Sequence, residues 1–234
     1  MVAGPEARAI WNNIFSHANK AKKSGGFYFY RLVLDRIKQG ETICDVGCGY
    51  TFALHDLMRR CGPEGLFIGI DFSSVALAKS GKLGDRYRNA HLLLADMRQL
   101  PLPDGCVDRA LCAEGLPYLL EDVEKGLQEL VRVSRHEVIF SLHTRGSYEI
   151  KGTNIEFRGN IVLENKPGSK PPRRVFEREE ILEMVATVGN LRVEVMQPLR
   201  MVDVCRVPTP GQWPWYLPPM ERIALYYIVA KKVR

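Results

Sequence analysis

The chain is expected to fold as an α/β protein, a parallel sheet with helices on both faces. Three observations lead there. Between Glu41 and His143, short apolar runs alternate with amphipathic stretches, the pattern of strands joined by crossover helices. Three acidic residues, Asp45, Asp71 and Asp96, each close one of those runs or open the turn after it. In open α/β sheets that is the end where ligands bind. The 234 residues, 46% apolar and 26% charged, suit one domain with insertions, and exclude disordered, collagenous and coiled-coil chains.

The elements follow in order. Residues 7–23 read as a helix, broken by Ser24-Gly25-Gly26. Apolar side chains at 29, 33, 34 and 37 give residues 27–39 a helical period that Gly40 ends. Residues 42–46 are a short buried strand running into Gly47-Cys48-Gly49, and 52–60 a helix stopped by Cys61-Gly62-Pro63. The second strand is 66–70, ending in Asp71; the helix after it, 73–79, takes Ser73 or Ser74 as its cap. Strands are expected at 91–95, 107–113 and 137–143, the last two separated by a helix at 122–133. Beyond Thr144 the alternation stops. Residues 147–176 read as a hairpin followed by a Lys/Pro/Gly loop, and 177–188 as a helix. Segments 191–196 and 222–233 read as closing strands on either side of a proline- and aromatic-rich loop, 207–219. The organisation is thus a helical cover over 1–40, a core over 41–143, an inserted cap over 144–176, and a C-terminal helix with closing strands over 177–234.

The formal charge of +6 is uneven: residues 1–44 carry +4, residues 45–143 carry −3, and residues 144–234 carry +5. Basic ends around an acidic middle suit an anionic substrate, RNA or acidic lipid headgroups, or form a solvated face. The longest apolar stretch near the end, 224–230, has 7 residues, far short of the ~20 of a membrane span. The first ten residues lack the basic start and apolar run of a secretory signal. Six cysteines contain no Cys-x-x-Cys pair and no partner at zinc-ligand spacing. No metal is expected, and reduced thiols in a cytoplasmic protein are the reading.

The chemistry-bearing pattern lies at the strand tips. Gly47 and Gly49 let the backbone approach a ligand closely, beside the start of the next helix. Asp71, 26 positions after Asp45, stands where a carboxylate can take both hydroxyls of a ribose. Phe72 follows it, placed for an adenine face.

Taken together, Asp45-Val-Gly-Cys-Gly49, Asp71, Ala95-Asp96-Met97 and Asp104-Gly-Cys-Val-Asp108 resemble the class I S-adenosylmethionine-dependent methyltransferases. The resemblance covers residues 41–143 in order and 175–233 more loosely. It implies a Rossmann-like, seven-stranded, mostly parallel sheet with the last strand antiparallel, and S-adenosyl-L-methionine as cofactor. It implies that Gly47, Cys48 and Gly49 line the methionine moiety, with Asp45 at its ammonium. Asp71 takes the ribose, Phe72 contacts the adenine, and Asp96 accepts from the adenine amino group beside the Met97 backbone. Ala113 and Glu114 face the methyl and ammonium groups. The chain departs from the pattern at Thr51, where a third glycine is common, and at Val133-Ser-Arg-His136, where a Pro-Gly-Gly element is usual.

Such a cofactor carries the hard chemistry, and the protein supplies orientation. A general base is needed only for an acceptor protonated at working pH. His143, ending the fifth strand, is the side chain best suited to titrate near neutrality; it serves as base or caps the strand. Glu114 and Tyr118 follow the fourth strand as further candidates, with Tyr118 alternatively a packed aromatic. Leu116-Pro-Tyr118 lacks the leading polar residue and second proline of the amino-methylating nucleic-acid enzymes. Phe27–Tyr30, residues 145–176 and Trp213-Pro-Trp215-Tyr216 are expected to select the acceptor. The last of these forms either an apolar lid or a brace for the closing strands. The expected activity is methyl transfer to a small organic acceptor by in-line displacement. RNA, tRNA in particular, is the alternative acceptor, and a non-catalytic nucleotide-binding member of the fold is the third reading. The chain is taken as a monomer or homodimer.

Overall fold

The structure, a computed structural model, describes residues 5–17, 26–50, 53–84, 86–148, 155–164, 170–189, 191–200 and 223–233. Helix α1 is Pro5–His17 and α2 is Gly26–Leu34. The core then alternates: β1 Thr42–Val46, α3 Leu54–Cys61, β2 Leu66–Asp71, α4 Ser74–Gly84, β3 Ala90–Leu94 and β4 Val107–Cys112. A 3₁₀ segment, Leu116–Asp122, leads into α5 Val123–Val133 and β5 Ser134–His143. A 3₁₀ turn at Arg145–Ser147 precedes β6 Ile155–Arg158, β7 Ile161–Glu164 and β8 Arg173–Arg174. The chain closes with α6 Arg178–Thr187, β9 Leu191–Arg200 and β10 Ile223–Lys232.

Seven strands make one sheet in the order β3-β2-β1-β4-β5-β10-β9. The pairs among β1 to β5 are parallel, and β10 runs antiparallel to both neighbours. The order reverses between β1 and β4, so the crevice at the carboxyl ends of those two strands is the switch point where such sheets bind ligands. The remaining strands, β6, β7 and β8, form a separate antiparallel sheet.

Period-2 alternation divides the core between the two faces. Val138, Phe140 and Leu142 of β5 join Leu127 and Leu130 of α5 and Ile181 and Met184 of α6 on one side. Ile139 joins Phe29 and Val33 of α2 and Leu54 and Leu57 of α3 on the other. Each such side chain contributes ~1.5–3 kcal/mol on burial.

Several elements differ from the sequence reading. Helix α2 stops at Leu34 rather than 39. The Arg36 amide bonds back to Val33 O at 2.9 Å, tightening the last turn, and Ile37 leaves the helix to enter the core. Helix α4 continues to Gly84, five residues past its expected end, with Ser73 as cap: its Oγ accepts from the Ala76 amide at 3.2 Å. The inserted segment contains the expected hairpin, β6–β7, turned at Gly159 with φ +60°, where a two-residue hairpin loop favours glycine. It also contains β8, paired through Val162–Arg173 and Ile161–Arg174, in a stretch read as loop. A two-residue strand after Pro171-Pro172 leaves no periodicity to read. The 207–219 loop, with Trp213, Trp215 and Tyr216, lies outside the described residues, as do Thr51 and Phe52. No helix among the described residues is long and apolar enough to cross a membrane.

Candidate active site

Strand β1 delivers Asp45 and then turns sharply. The amides of Gly47 and Cys48 both donate to Ile70 O, at 2.7 and 3.1 Å, tying the turn to the tip of β2. Gly47 sits at φ +75° and Gly49 at φ +53°, backbone that L side chains adopt at a cost. A Cβ on Gly47 would lie 3.4 Å from Met97 Cε and 3.6 Å from Gly115 Cα; one on Gly49 would lie 3.5 Å from the Phe15 ring. At both positions a Cβ would make ordinary van der Waals contact, so it is the positive φ that calls for glycine.

Asp71, 6% exposed, organises the next loop. Its Oδ2 accepts from the Gly49 amide at 2.9 Å and its Oδ1 from the Ser73 amide at 2.8 Å. Burial raises its pKa, opposed by those backbone bonds. Asp45 is buried more completely. Tyr30 of α2 donates to its Oδ2 at 2.6 Å, while Oδ1 has no hydrogen-bond partner. Burial, opposed by the Tyr30 bond and reinforced by the Asp71 charge, pushes the Asp45 carboxyl up to about 7. A buried carboxylate oxygen without a donor is costly, unless a cationic or N–H-bearing group completes it.

Across the switch point, Glu114 follows β4 in the left-handed region at φ +58°, rare for a residue with a side chain. Its amide donates to Ser141 Oγ at 3.0 Å, and its Oε2 lies 3.5 Å from Nε2 of His143. Oε1 is buried and unpaired. Burial works against ionisation, but the His143 bond and the positive charges of His143, Lys170 and Arg173 hold the carboxyl down at about 2. The other imidazole nitrogen, Nδ1, lies 3.4 Å from Ser147 Oγ. Tyr118, on the 3₁₀ segment, meets the edge of Trp11 with ring centroids 4.8 Å apart, and burial raises its phenol pKa. The fold thus brings Glu114, His143 and Tyr118 to one end of the sheet with Asp45, Gly47, Cys48, Gly49 and Asp71.

The remaining positions are near but differently engaged. Phe72 is half-buried beyond Asp71, and Ala113, partly buried, packs on the α2/α3 side of the core. Cys48 is buried, and burial raises its thiol pKa. Met97 packs over Gly47 and Gly115. The Asp96 carboxylate is forked by Arg98, with Nη2 at 2.6 Å, and Arg98 reaches on to Asp122 at 2.9 Å. An adenine amino group at Asp96 would share that carboxylate with Arg98.

Three participants lie in segments the sequence assigned to the cover and the cap, but their contacts were not read from it. Helix α1 lies over the glycine turn: Phe15 faces Gly49, and Asn12 Oδ1 accepts from Ser73 Oγ at 2.7 Å. Arg173 of the small sheet is 1% exposed, pairs with Glu164, and stands 4.4 Å over the Tyr148 ring. Ser147 completes the line through His143. None sits in a motif; each is joined to the site only by tertiary contact. Tyr30, grouped with acceptor recognition on sequence grounds, instead meets Asp45.

The family described as "Methyltransferase domain" matches residues 43–137. A demethylmenaquinone methyltransferase of Desulfitobacterium hafniense is 36% identical over 99 residues, which is 41% of this chain and 39% of that protein. The chain therefore matches about two fifths of that curated relative's length. Among solved structures, a SAM-dependent methyltransferase from Aquifex aeolicus superposes with a TM-score of 0.58 at 21% identity, covering 87% of this chain and 89% of its own. The 1,6-didemethyltoxoflavin-N1-methyltransferase of Burkholderia thailandensis, solved with 1,6-didemethyltoxoflavin and S-adenosylhomocysteine, superposes with a TM-score of 0.67 at 12% identity. That match covers 100% of this chain and 92% of its own.

Proposed function

We propose that the chain is a class I S-adenosylmethionine-dependent methyltransferase and that it methylates a small organic acceptor. One observation carries the proposal. At the switch point, a turn of two positive-φ glycines, Gly47 and Gly49, adjoins two buried carboxylate oxygens without donors, Asp45 Oδ1 and Glu114 Oε1. The cofactor fits that combination, having an ammonium to satisfy a carboxylate and a flat nucleoside to pass bare backbone.

In this reading Asp45 Oδ1 holds the ammonium, the Gly47–Gly49 backbone lines the methionine portion, and Asp71 takes the ribose hydroxyls with the lone pairs its two amide donors leave. Phe72 flanks the adenine, with Asp96 and Met97 at its edge and Ala113 beside the glycine turn. When bound, the cofactor supplies a methyl group already activated on a sulfonium. The chain's work is alignment and proton handling. Glu114, ionised and 3.5 Å from Nε2, fixes the imidazole of His143 and stabilises it when it accepts a proton. Tyr118 and Trp11 wall the crevice and exclude water from it.

The acceptor is proposed as a small ring compound. The Desulfitobacterium relative is named for a demethylmenaquinone, and the Burkholderia structure holds a small heterocycle. Of the basic flank residues described, Arg36 and Lys231 pair with Glu137 and Glu194, Arg173 with Glu164, and Arg174 with Glu180; RNA stays the second reading. Titration calorimetry with S-adenosylmethionine and S-adenosylhomocysteine tests the reading. Binding of both is expected; no heat and no thermal shift at millimolar ligand overturns it.

A further inference from the structure

Asp96 stands where a carboxylate would meet the amino edge of an adenine, but it is already engaged on both oxygens. Oδ1 accepts from the Arg98 amide at 2.9 Å and from Arg98 Nε at 3.0 Å. Oδ2 accepts from Nη2 at 2.6 Å, with Nε also at 3.2 Å. A carboxylate offers about four lone-pair sites, and a neighbour two positions on supplies donors to both oxygens twice over. Asp45 Oδ1 and Glu114 Oε1 lack donors; the Asp96 oxygens do not.

The engagement is local and firm. The Asp96 carbonyl accepts from the Gln99 amide at 3.0 Å, so the main chain and side chain of Asp96 together close the turn after β3. An aspartate that accepts from the amide two residues on forms a turn in its own right. Arg98 is held from its far side as well. Its Nη1 donates to Oδ2 of Asp122, the last residue of the 3₁₀ segment, at 2.9 Å. The Arg98 side chain is 23% exposed, and a fork of this kind is fixed in direction as well as strong. Its hydrogen bonds hold the Asp96 carboxyl below the ordinary carboxylate range, and the Arg8 charge of α1 adds to that. A neutral amino group offers this carboxylate less than the cation it already has.

We infer that Arg98 withdraws the Asp96 carboxylate from base recognition, so that the crevice takes a purine nucleoside of the cofactor kind without reading its 6-position. This rests on the S-adenosylmethionine reading of the crevice and narrows what that site selects. The base keeps Phe72 at its face and the Met97 main chain at its edge, and neither depends on the 6-amino group. Arg98 is thus a specificity-determining residue that acts through Asp96. Its effect is a relaxed one: ligands with and without the amino group are accepted alike.

Calorimetry with two ligands tests this. One is S-adenosylhomocysteine; the other is its analogue with hydrogen in place of the 6-amino group, which keeps the ring nitrogens as acceptors. A carboxylate accepting from the amino group would favour the first by about one to two powers of ten. The wild-type chain is expected to bind the two within about threefold. In Arg98→Met the carboxylate is released, so S-adenosylhomocysteine should gain about tenfold over the analogue, whose own affinity stays at the wild-type value. A wild-type preference of about tenfold or more for the amino compound overturns the inference, because Asp96 then reads the base despite its fork. An Arg98→Met ratio unchanged from wild type, whether both ligands weaken or neither does, also overturns it and leaves Arg98 a brace for the turn. Should Arg98→Met fail to fold, Arg98→Lys, which keeps the charge but cannot fork both oxygens, carries the same comparison. No heat with either ligand in the wild type removes the S-adenosylmethionine reading and this inference with it, a result distinct from a preference for one ligand.

Discussion

The two ends of the parallel strands treat charge in opposite ways. At the amino ends, Arg109 forks Glu41 through Nε and Nη2 at 2.8 and 2.9 Å and reaches Glu137 through Nη1. Arg36 forks the same Glu137 and binds Glu194, which Lys231 also holds at 2.9 Å. Every carboxylate oxygen of Glu41 and Glu137 has a donor. At the carboxyl ends, Asp45 Oδ1 and Glu114 Oε1 are just as buried and have none. The first arrangement is what a buried network needs to be tolerated at all. The second is what a fold tolerates where something else completes the pattern. The same sheet thus separates fully paired carboxylates from incompletely paired ones along its strand axis.

That contrast can be broken most severely at the paired end. Arg109→Met takes the fork from Glu41, leaving that carboxylate only the Lys38 amide, and leaves buried Glu137 to Arg36 alone. Removing one partner of a buried pair costs about 3–5 kcal/mol. Chemical denaturation should register a loss of that order, with cofactor affinity in the surviving folded protein unchanged; a loss of affinity with intact stability would mean the two ends are not separate. The next largest effect falls at the other end. Asp71→Ala removes a charge-assisted partner worth ~1.5–3 kcal/mol, so S-adenosylmethionine should bind about one to two powers of ten more weakly by calorimetry. Because Asp71 also accepts from the Gly49 and Ser73 amides, this variant should lose some stability too, unlike a purely ligand-facing residue. Unchanged affinity would put the cofactor elsewhere.

The smallest effect is the most diagnostic. Asp45 has its carboxyl raised to about 7, chiefly by burial. Below that pH the free protein holds a proton on Asp45, and a bound ammonium favours the ionised form, so binding must release that proton. Affinity should therefore rise about tenfold per pH unit up to neutrality and level off above it, and Asp45→Asn should flatten the profile. The sign for stability is the reverse. A raised carboxyl favours the folded state below its ordinary range, and that contribution is lost as pH rises through about 7. Without ligand, Asp45→Asn should thus denature later than the wild type at pH 8. A variant that is less stable there would place Asp45 with the paired residues of the opposite end.

Much of this end of the molecule was legible in the sequence because its signals are local. Strand β1 appears where the apolar run before Gly47 put it, and Ser73 caps α4 as its position before an apolar period suggested. The elements missed are those without a period. Strand β8 has two residues, and the Leu116–Asp122 segment bends through Leu120 at φ +55°. Helix α2 ends early although Ile37 continues its apolar spacing, because Arg36 is drawn to Glu137, 101 residues away. The site divides the same way. Asp45, Gly47, Gly49 and Asp71 follow from strand-end chemistry. The Tyr30 bond to Asp45, the Ser147 contact with His143 and the Phe15 roof over Gly49 exist only once distant segments meet.

Helix α1 has one further consequence. Its last turn is fastened from below: Lys79 Nζ and the Tyr50 hydroxyl both donate to Phe15 O, and Lys79 also reaches Ser16 O at 3.0 Å. These bonds take carbonyls that the end of a helix otherwise leaves to water. They anchor the ring that overlies Gly49. The ring's place over the glycine turn is thus set twice, by main-chain acceptors of α1 held from α4 and by its stacking on Trp11 and edge contact with Tyr50.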